Sequence, residues 1–100
     1  MNTMALIRQN VVVGIAPMGL HMRPAMEFAK LVQAARCTVS VFHGEKKADG
    51  RSPTDLLMLF APPGTELTLE LDGDDADALL QPLIAILTAE AEGDEPRAGS

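Results

Sequence analysis

The chain has 100 residues, of which 47% are apolar, and a formal net charge of −6 at neutral pH. This length fits one domain with a single modest core. The acidic balance, together with the lack of Trp and Tyr, excludes the basic and aromatic surfaces that bind nucleic acid. No apolar run approaches the ~18 residues of a membrane span, and no secretory signal precedes the first predicted element. The composition therefore predicts a cytoplasmic protein without membrane insertion.

The chain is predicted to open with a short leader over residues 1–9. Asn10–Ile15 follows it and is rich in β-branched residues, which is typical of a strand. Ala16–Leu20 contains Pro and Gly and predicts a turn.

His21 falls where this turn becomes a helix, at the N-cap or next to it. Pro24 then lies in the first helical turn, where the amide that it lacks has no intrahelical partner. The amides and the dipole of a helix start bind anions, and Arg23 brings a guanidinium to the same place. The combination indicates a histidine that carries a phosphoryl group.

The helix that starts here is predicted over Met22–Ala35. Met22 and Met26 flank its apolar stripe close to His21. They fit two interpretations equally well, an edge of the core or an adaptable contact surface. The stripe itself recurs at helical spacing and consists of Ala25, Phe28, Ala29, Val32 and Ala35.

Two further strands are predicted, Cys37–Phe42 by its alternation and the short polar edge strand Glu45–Asp49. His43, in the turn between them, is interpreted as a surface histidine, and Cys37 as a buried strand residue. His21, Cys37 and His43 have no recognised ligand spacing. We therefore expect no metal and no cofactor.

A second helix is predicted to start at Ser52, since Ser at the N-cap, Pro53 at N1 and Asp55 at N3 form a strong start signal. Leu56, Leu57, Leu59 and Phe60 make this helix apolar. Glu66–Asp72 alternates strictly between apolar and polar residues and predicts the fourth strand.

The last predicted helix starts at Gly73-Asp74-Asp75 and runs to Ala91, with Pro82 off its apolar stripe. That stripe consists of Ala76, Leu79, Leu80, Leu83, Ile84, Leu87 and Ala91. Residues 92–100 are predicted to form a flexible acidic tail. The order β-α-β-β-α-β-α predicts an α+β domain over residues 10–91, a four-stranded antiparallel sheet covered on one face by helices.

At Gly19-Leu20-His21-Met22-Arg23-Pro24-Ala25 the sequence resembles the histidine phosphocarrier protein (HPr) family of the phosphoenolpyruvate-dependent sugar phosphotransferase system. That family carries Gly-Leu-His-Ala-Arg-Pro-Ala, so this chain departs only at Met22. A second family signature, a Ser-led helix rich in Leu and Met, recurs at Ser52–Leu59. The resemblance covers about Asn10–Ala91 and implies the HPr-like open-faced β-sandwich.

The resemblance implies a carrier with a phosphohistidine intermediate, not an enzyme that turns over on its own. His21 would accept the phosphoryl group through Nδ1 from enzyme I and pass it to enzyme IIA, while Arg23 stabilises the phosphate. Met22, Met26 and Leu57 are the expected contacts with these partners, and the protein is expected to be a monomer.

Ser52 corresponds to a serine that a dedicated HPr kinase phosphorylates in many family members. Pro53-Thr54 stands here where the family has bulky apolar residues, so an N-cap role alone remains open. Two other functions also stay open. One is a regulatory HPr-like module of a nitrogen-linked or kinase-controlled branch, and the other is an interaction domain without phosphate chemistry.

Overall fold

The structure is a computed structural model that describes residues 6–14 and 18–89. It contains four strands and three helices in the predicted order. They are β1 (Leu6–Val12), α1 (Met22–Gln33), β2 (Thr38–His43), β3 (Lys46–Asp49), α2 (Pro53–Leu57), β4 (Glu66–Asp72) and α3 (Ala76–Thr88).

The strands form one antiparallel sheet in the order β1-β4-β2-β3. Because side chains alternate along a strand, one face of the sheet carries apolar residues that are buried under the helices. The other face carries polar residues such as Thr68, which donates a hydrogen bond to Asn10 Oδ1 at 2.8 Å. The predicted α+β open-faced sandwich is confirmed. The buried face consists of Val11, Val39, Val41, Ala48, Leu67, Leu69 and Leu71.

The first strand differs from the prediction. It runs over Leu6–Val12 and pairs with β4 along its whole length, so Leu6–Gln9 belong to the sheet and not to a leader. The remaining leader, residues 1–5, and the predicted strand end at Ile15 lie outside the described residues. The early part escaped prediction because β1 is an edge strand with mostly exposed residues, including Arg8, whose Nε lies 3.5 Å from Glu70 Oε2.

The first helix ends two residues before the predicted Ala35. After Gln33 the backbone of Arg36 turns to α3: its N–H donates to Asp75 Oδ2 at 2.7 Å, and its carbonyl accepts from Asp75 N at 3.2 Å. These bonds to another element replace further helical bonds. The predicted stripe is buried, with Ala35 half-buried where the helix has ended.

The last helix runs over Ala76–Thr88 and contains Pro82 on its exposed side. It begins directly after the predicted start at Gly73–Asp75, and it ends before the predicted Ala91 because Ala89 already has an extended backbone (ψ 147°). Its buried residues lie on the predicted stripe: Ala76, Leu79, Leu83 and Leu87. The stripe residue Ala91 and the tail 92–100 lie outside the described residues. Within residues 6–14 and 18–89, none of the helices has the length and apolar character that crossing a membrane requires.

The bounds of three further elements shift slightly from the sequence prediction. β2 starts at Thr38 instead of Cys37 and ends at His43, which is therefore a strand residue and not part of the turn. β3 begins at Lys46. The Ser-led helix has only five residues and ends at Leu57, so Leu59 and Phe60 follow it. β4 has the predicted bounds.

Candidate functional site

His21 is the N-cap residue of α1. Its backbone is extended (φ −109°, ψ −168°), and its carbonyl accepts the first helical hydrogen bond from Ala25 N at 3.0 Å. Pro24 is the third helical residue and has no amide, so the amides at this helix start are those of Met22 and Arg23. The imidazole therefore sits at the positive end of the α1 dipole, where an anion is stabilised.

The turn before His21 packs directly against the segment that follows α2. Leu20 N donates to the Ala61 carbonyl at 2.9 Å, and both side chains are buried. Gly19 has a φ of +75°, and a Cβ there would lie 2.3 Å from the Ala61 oxygen. A glycine is needed for both reasons, since any side chain would collide with this backbone. Residues 16 and 17 of the predicted turn lie outside the described residues.

An open groove of about 610 Å³ runs from His21 along α1 toward α2. Besides His21, this groove is lined by Arg23 and Lys30 and by Pro53, the first residue of α2. Gln33 Nε2 donates to the Arg51 carbonyl at 2.8 Å and joins α1 to the start of α2. The groove is lined by His21, Met22, Arg23, Met26, Glu27, Ala29, Lys30, Gln33 and Pro53.

The predicted contact residues are distributed unequally around this groove. Met22 and Met26 line it and are 51% and 54% exposed. Leu57 is half-buried and packs against the core. Met58 and Phe60, in contrast, are 59% and 66% exposed. The exposure of Phe60 was not predicted from the sequence, because the apolar run Leu-Met-Leu-Phe predicts burial.

Ser52 is the N-cap residue of α2, as predicted, and its Oγ accepts from Asp55 N at 3.1 Å. The Asp55 carboxylate in turn accepts from Asp49 N at 3.2 Å, and the Asp49 carboxylate accepts from Arg51 N at 3.0 Å. The hydroxyl therefore holds the helix start, and two carboxylates are bound in the same turn.

His43 is not the ordinary surface histidine that the sequence suggested. It is half-buried, and its Nδ1 lies 2.8 Å from the carbonyl oxygen of Leu59, which belongs to the segment behind α2. No motif indicates a contact between residues this far apart in sequence. Within the described ranges, no group of three or more His, Cys, Asp or Glu side chains could hold a metal ion.

Cys37 is half-buried, and its Sγ lies 3.7 Å from the Thr38 carbonyl oxygen. Burial raises the pKa of the Cys37 thiol, and the carboxylates of Asp72 and Asp75 raise it further, while a hydrogen bond with the Asp72 backbone acts in the opposite direction. A raised pKa keeps the thiol protonated at neutral pH, which disfavours thiolate chemistry.

The profile of one protein family, described as "PTS HPr component phosphorylation site", matches residues 7–89. The chain belongs to the HPr family. The HPr family likeness extends to three dimensions: the crystal structure of the phosphocarrier protein HPr from Bacillus anthracis aligns with a TM-score of 0.76, covering 83% of this chain and 98% of that one. At 24% identity, this likeness shows the fold alone.

Three curated relatives have sequences similar to this chain. The phosphocarrier protein HPr of Haemophilus influenzae is 37% identical over 73% of this chain and 86% of its own length. The phosphocarrier protein NPr of Shewanella violacea is 39% identical over 72% of this chain and 79% of its own. The multiphosphoryl transfer protein of Xanthomonas campestris is 38% identical over 82% of this chain, which spans about 10% of that larger protein.

Proposed function

We propose that this HPr-family chain accepts a phosphoryl group on His21 from phosphorylated enzyme I and passes it to an enzyme IIA of a phosphotransferase system. The observation that supports this most directly is the position of His21 at the N-cap of α1, in one groove with Arg23. The protein acts in the cytoplasm, as a monomer and without cofactor. It is a carrier and does not turn over on its own.

The transfer consists of two exchanges of one bond. The lone pair of His21 Nδ1 attacks the phosphorus of the phosphohistidine on enzyme I; the new N–P bond forms as the old one breaks, and its electrons return to the donor imidazole. The same exchange with the acceptor histidine of enzyme IIA returns His21 to its starting state. The α1 dipole and the Arg23 guanidinium stabilise the added negative charge in both steps.

Incubation with phosphoenolpyruvate and a general enzyme I tests this proposal. Intact-protein mass spectrometry should show a gain of one phosphoryl group, which acid removes as expected of a phosphohistidine. An interaction domain without phosphate chemistry would show no gain. The measurement therefore separates these two classes of function.

Arg23→Ala should slow phosphoryl transfer by roughly tenfold to a hundredfold, the cost of one charge-assisted hydrogen bond. The exposed side chain contributes little to the core, so the melting temperature should hardly change. Quench-flow transfer from phosphorylated enzyme I measures the rate. Arg23→Lys keeps the charge but loses the fork geometry, so its transfer rate should lie between those of the wild type and Arg23→Ala. A wild-type rate in Arg23→Ala would remove this residue from the mechanism.

Both protein partners should dock on the groove between α1 and α2, with Met22, Met26 and Leu57 as the proposed contacts. The exposed methionines can adapt to two different partners, since Met repacks easily. α3 should stay free, because every charged residue from Glu66 to Glu95 is acidic. NMR chemical-shift mapping with either partner checks this expectation, which perturbations centred on α3 would contradict.

The second candidate is a regulatory HPr-like module of a nitrogen-linked branch, which the similarity to a phosphocarrier named NPr favours. Both candidates use phosphohistidine, so phosphorylation by enzyme I does not separate them. Onward transfer does: the phosphorylated chain is offered a sugar-specific and a nitrogen-branch enzyme IIA in separate reactions. Faster transfer to the nitrogen-branch acceptor would select the second candidate.

Ser52 is the proposed site of a regulatory phosphorylation by an HPr serine kinase. A phosphate adds roughly −1.5 to −2 charges at the start of α2, beside the groove that contains Pro53. That charge would repel the acidic groups of a partner that docks there, and transfer at His21 would fall.

Ser52→Asp should accept phosphate from enzyme I more slowly than the wild type. Ser52→Asn is the matched control, because Asn also caps a helix but adds no charge. Ser52→Ala loses the cap and should cost about 1 kcal/mol of stability. Ser52→Asp should melt no lower than Ser52→Ala, although Asp55 is close enough to offset part of its capping gain. Equal rates for the Asp and Asn variants would leave Ser52 as an N-cap alone.

A further inference from the structure

The segment that supports the His21 turn contains a backbone conformation that has to be held in place. Phe60 has a φ of +51° and is the one non-glycine residue with positive φ among those described. The left-handed region costs an ordinary residue on the order of 1–2 kcal/mol. Phe60 is 66% exposed, so burial of its side chain contributes little to holding this conformation. Other groups must do so.

The peptide group between Leu59 and Phe60 is fixed at both ends. Its N–H donates to the Leu57 carbonyl at 3.2 Å, and its carbonyl lies 2.8 Å from His43 Nδ1. A carbonyl has no proton to give, so Nδ1 carries the hydrogen and donates. With both ends bound, the plane of this peptide is restrained, and with it the orientation in which the chain enters Phe60.

The β2–β3 hairpin supplies two contacts to Leu59–Phe60, one from His43 and one from Lys46. His43 and Lys46 face each other as the last pair of the hairpin. While His43 binds the Leu59 carbonyl, the Lys46 ammonium lies 4.8 Å from the centre of the Phe60 ring, a cation–π contact. Immediately beyond Phe60, the Ala61 carbonyl accepts from Leu20 N, next to His21. A continuous path of contacts thus joins the hairpin to the turn that presents His21.

We propose that His43 is a positioning residue for phosphoryl transfer, which acts through Leu59–Ala61 on the turn that presents His21. His43 does not line the groove that contains His21; it holds the Leu59–Phe60 peptide so that the Ala61 carbonyl meets the Leu20 amide. The proposal rests on the proposed function only for its kinetic consequence. Its structural part, the coupling of His43 to the Leu20 amide, stands independently.

The test compares three proteins: wild type, His43→Leu, which removes the donor, and His43→Asn, whose amide can donate from nearly the position of Nδ1. Hydrogen exchange of the Leu20 amide and the rate of phosphate transfer from enzyme I are measured for each. We expect His43→Leu to lose protection at Leu20 and to transfer on the order of tenfold more slowly, because a displaced reacting group loses rate steeply. His43→Asn should restore most of both.

Two further measurements separate positioning from stability. Leu79→Val, a core substitution in α3, lowers stability in a helix that packs on α1, β1 and β4, so its Leu20 exchange and transfer rate give the baseline. Nitrogen-15 NMR of the wild-type ring should show hydrogen on His43 Nδ1. Hydrogen on Nε2 alone would overturn the proposal. So would a His43→Leu protein that keeps its protection at the Leu20 amide, or one whose Leu20 exchange and transfer rate change no more than those of Leu79→Val. If the wild type accepts no phosphate, the proposed function fails, while exchange at Leu20 still decides whether His43 positions the turn.

Discussion

His21→Ala should abolish phosphorylation by enzyme I while the fold stays intact. The imidazole is the nucleophile of the proposed transfer, and alanine offers no atom that could replace it. The backbone carbonyl of His21, which accepts the first helical hydrogen bond from Ala25, is kept in the variant. We expect a change of less than about 1 kcal/mol in the free energy of unfolding, as for most substitutions outside a core.

Intact-protein mass spectrometry after incubation with phosphoenolpyruvate and enzyme I measures the loss, and circular dichroism the fold. The chain has two histidines, so the variant keeps His43 as an internal control. An acid-labile phosphate retained on the variant would mean that another residue accepts the group. His21→Gln, which keeps a polar side chain of similar length, should be equally inactive.

Gly19→Ala should damage both stability and transfer. The added Cβ would lie 2.3 Å from the Ala61 oxygen and 2.6 Å from the Pro62 Cα, and both are backbone atoms that cannot swing aside. The positive φ of +75° adds about 1–2 kcal/mol, and forced overpacking about 1–3 kcal/mol. The turn can relieve this collision only by moving, which takes His21 with it.

Gly44→Ala is the matched control for this prediction. Gly44 has a similar φ of +63°, but no atom lies within 4 Å of a Cβ added there. It should therefore show the backbone cost alone in its free energy of unfolding. Thermal melts separate the two variants, since 1 kcal/mol shifts the midpoint of a domain of this size by about 4–8 °C. Equal melting temperatures would show that the turn yields without cost.

The features that the sequence predicted well are those that neighbouring residues determine together. The strict alternation of Glu66–Asp72 predicted β4 with its correct bounds, because one side of that strand is fully buried. Ser52 was predicted as an N-cap because Pro53 and Asp55 complete the signal within three residues. The helix start at His21 was equally local, since Pro24 marks the first turn.

The features that escaped prediction depend on residues far apart in the chain. Leu6–Gln9 form a strand because β4 offers them partners, although only the first two of these four residues are apolar. The bond between His43 and Leu59 joins two elements that no sequence pattern connects. Phe60 follows an apolar helix, and only the tertiary path of the chain forces it into the left-handed region and out to solvent.

Because β4 lies between β1 and β2, most of the sheet cannot form before residues 66–72 are available. Leu6 pairs with Asp72, 66 residues further along the chain, and closing so long a loop slows folding compared with local helix pairing. On the ribosome, the emerging chain should therefore stay unstructured until β4 has left the exit tunnel. His21 is synthesised early, yet the backbone that presents it would be in place only when the domain is nearly complete.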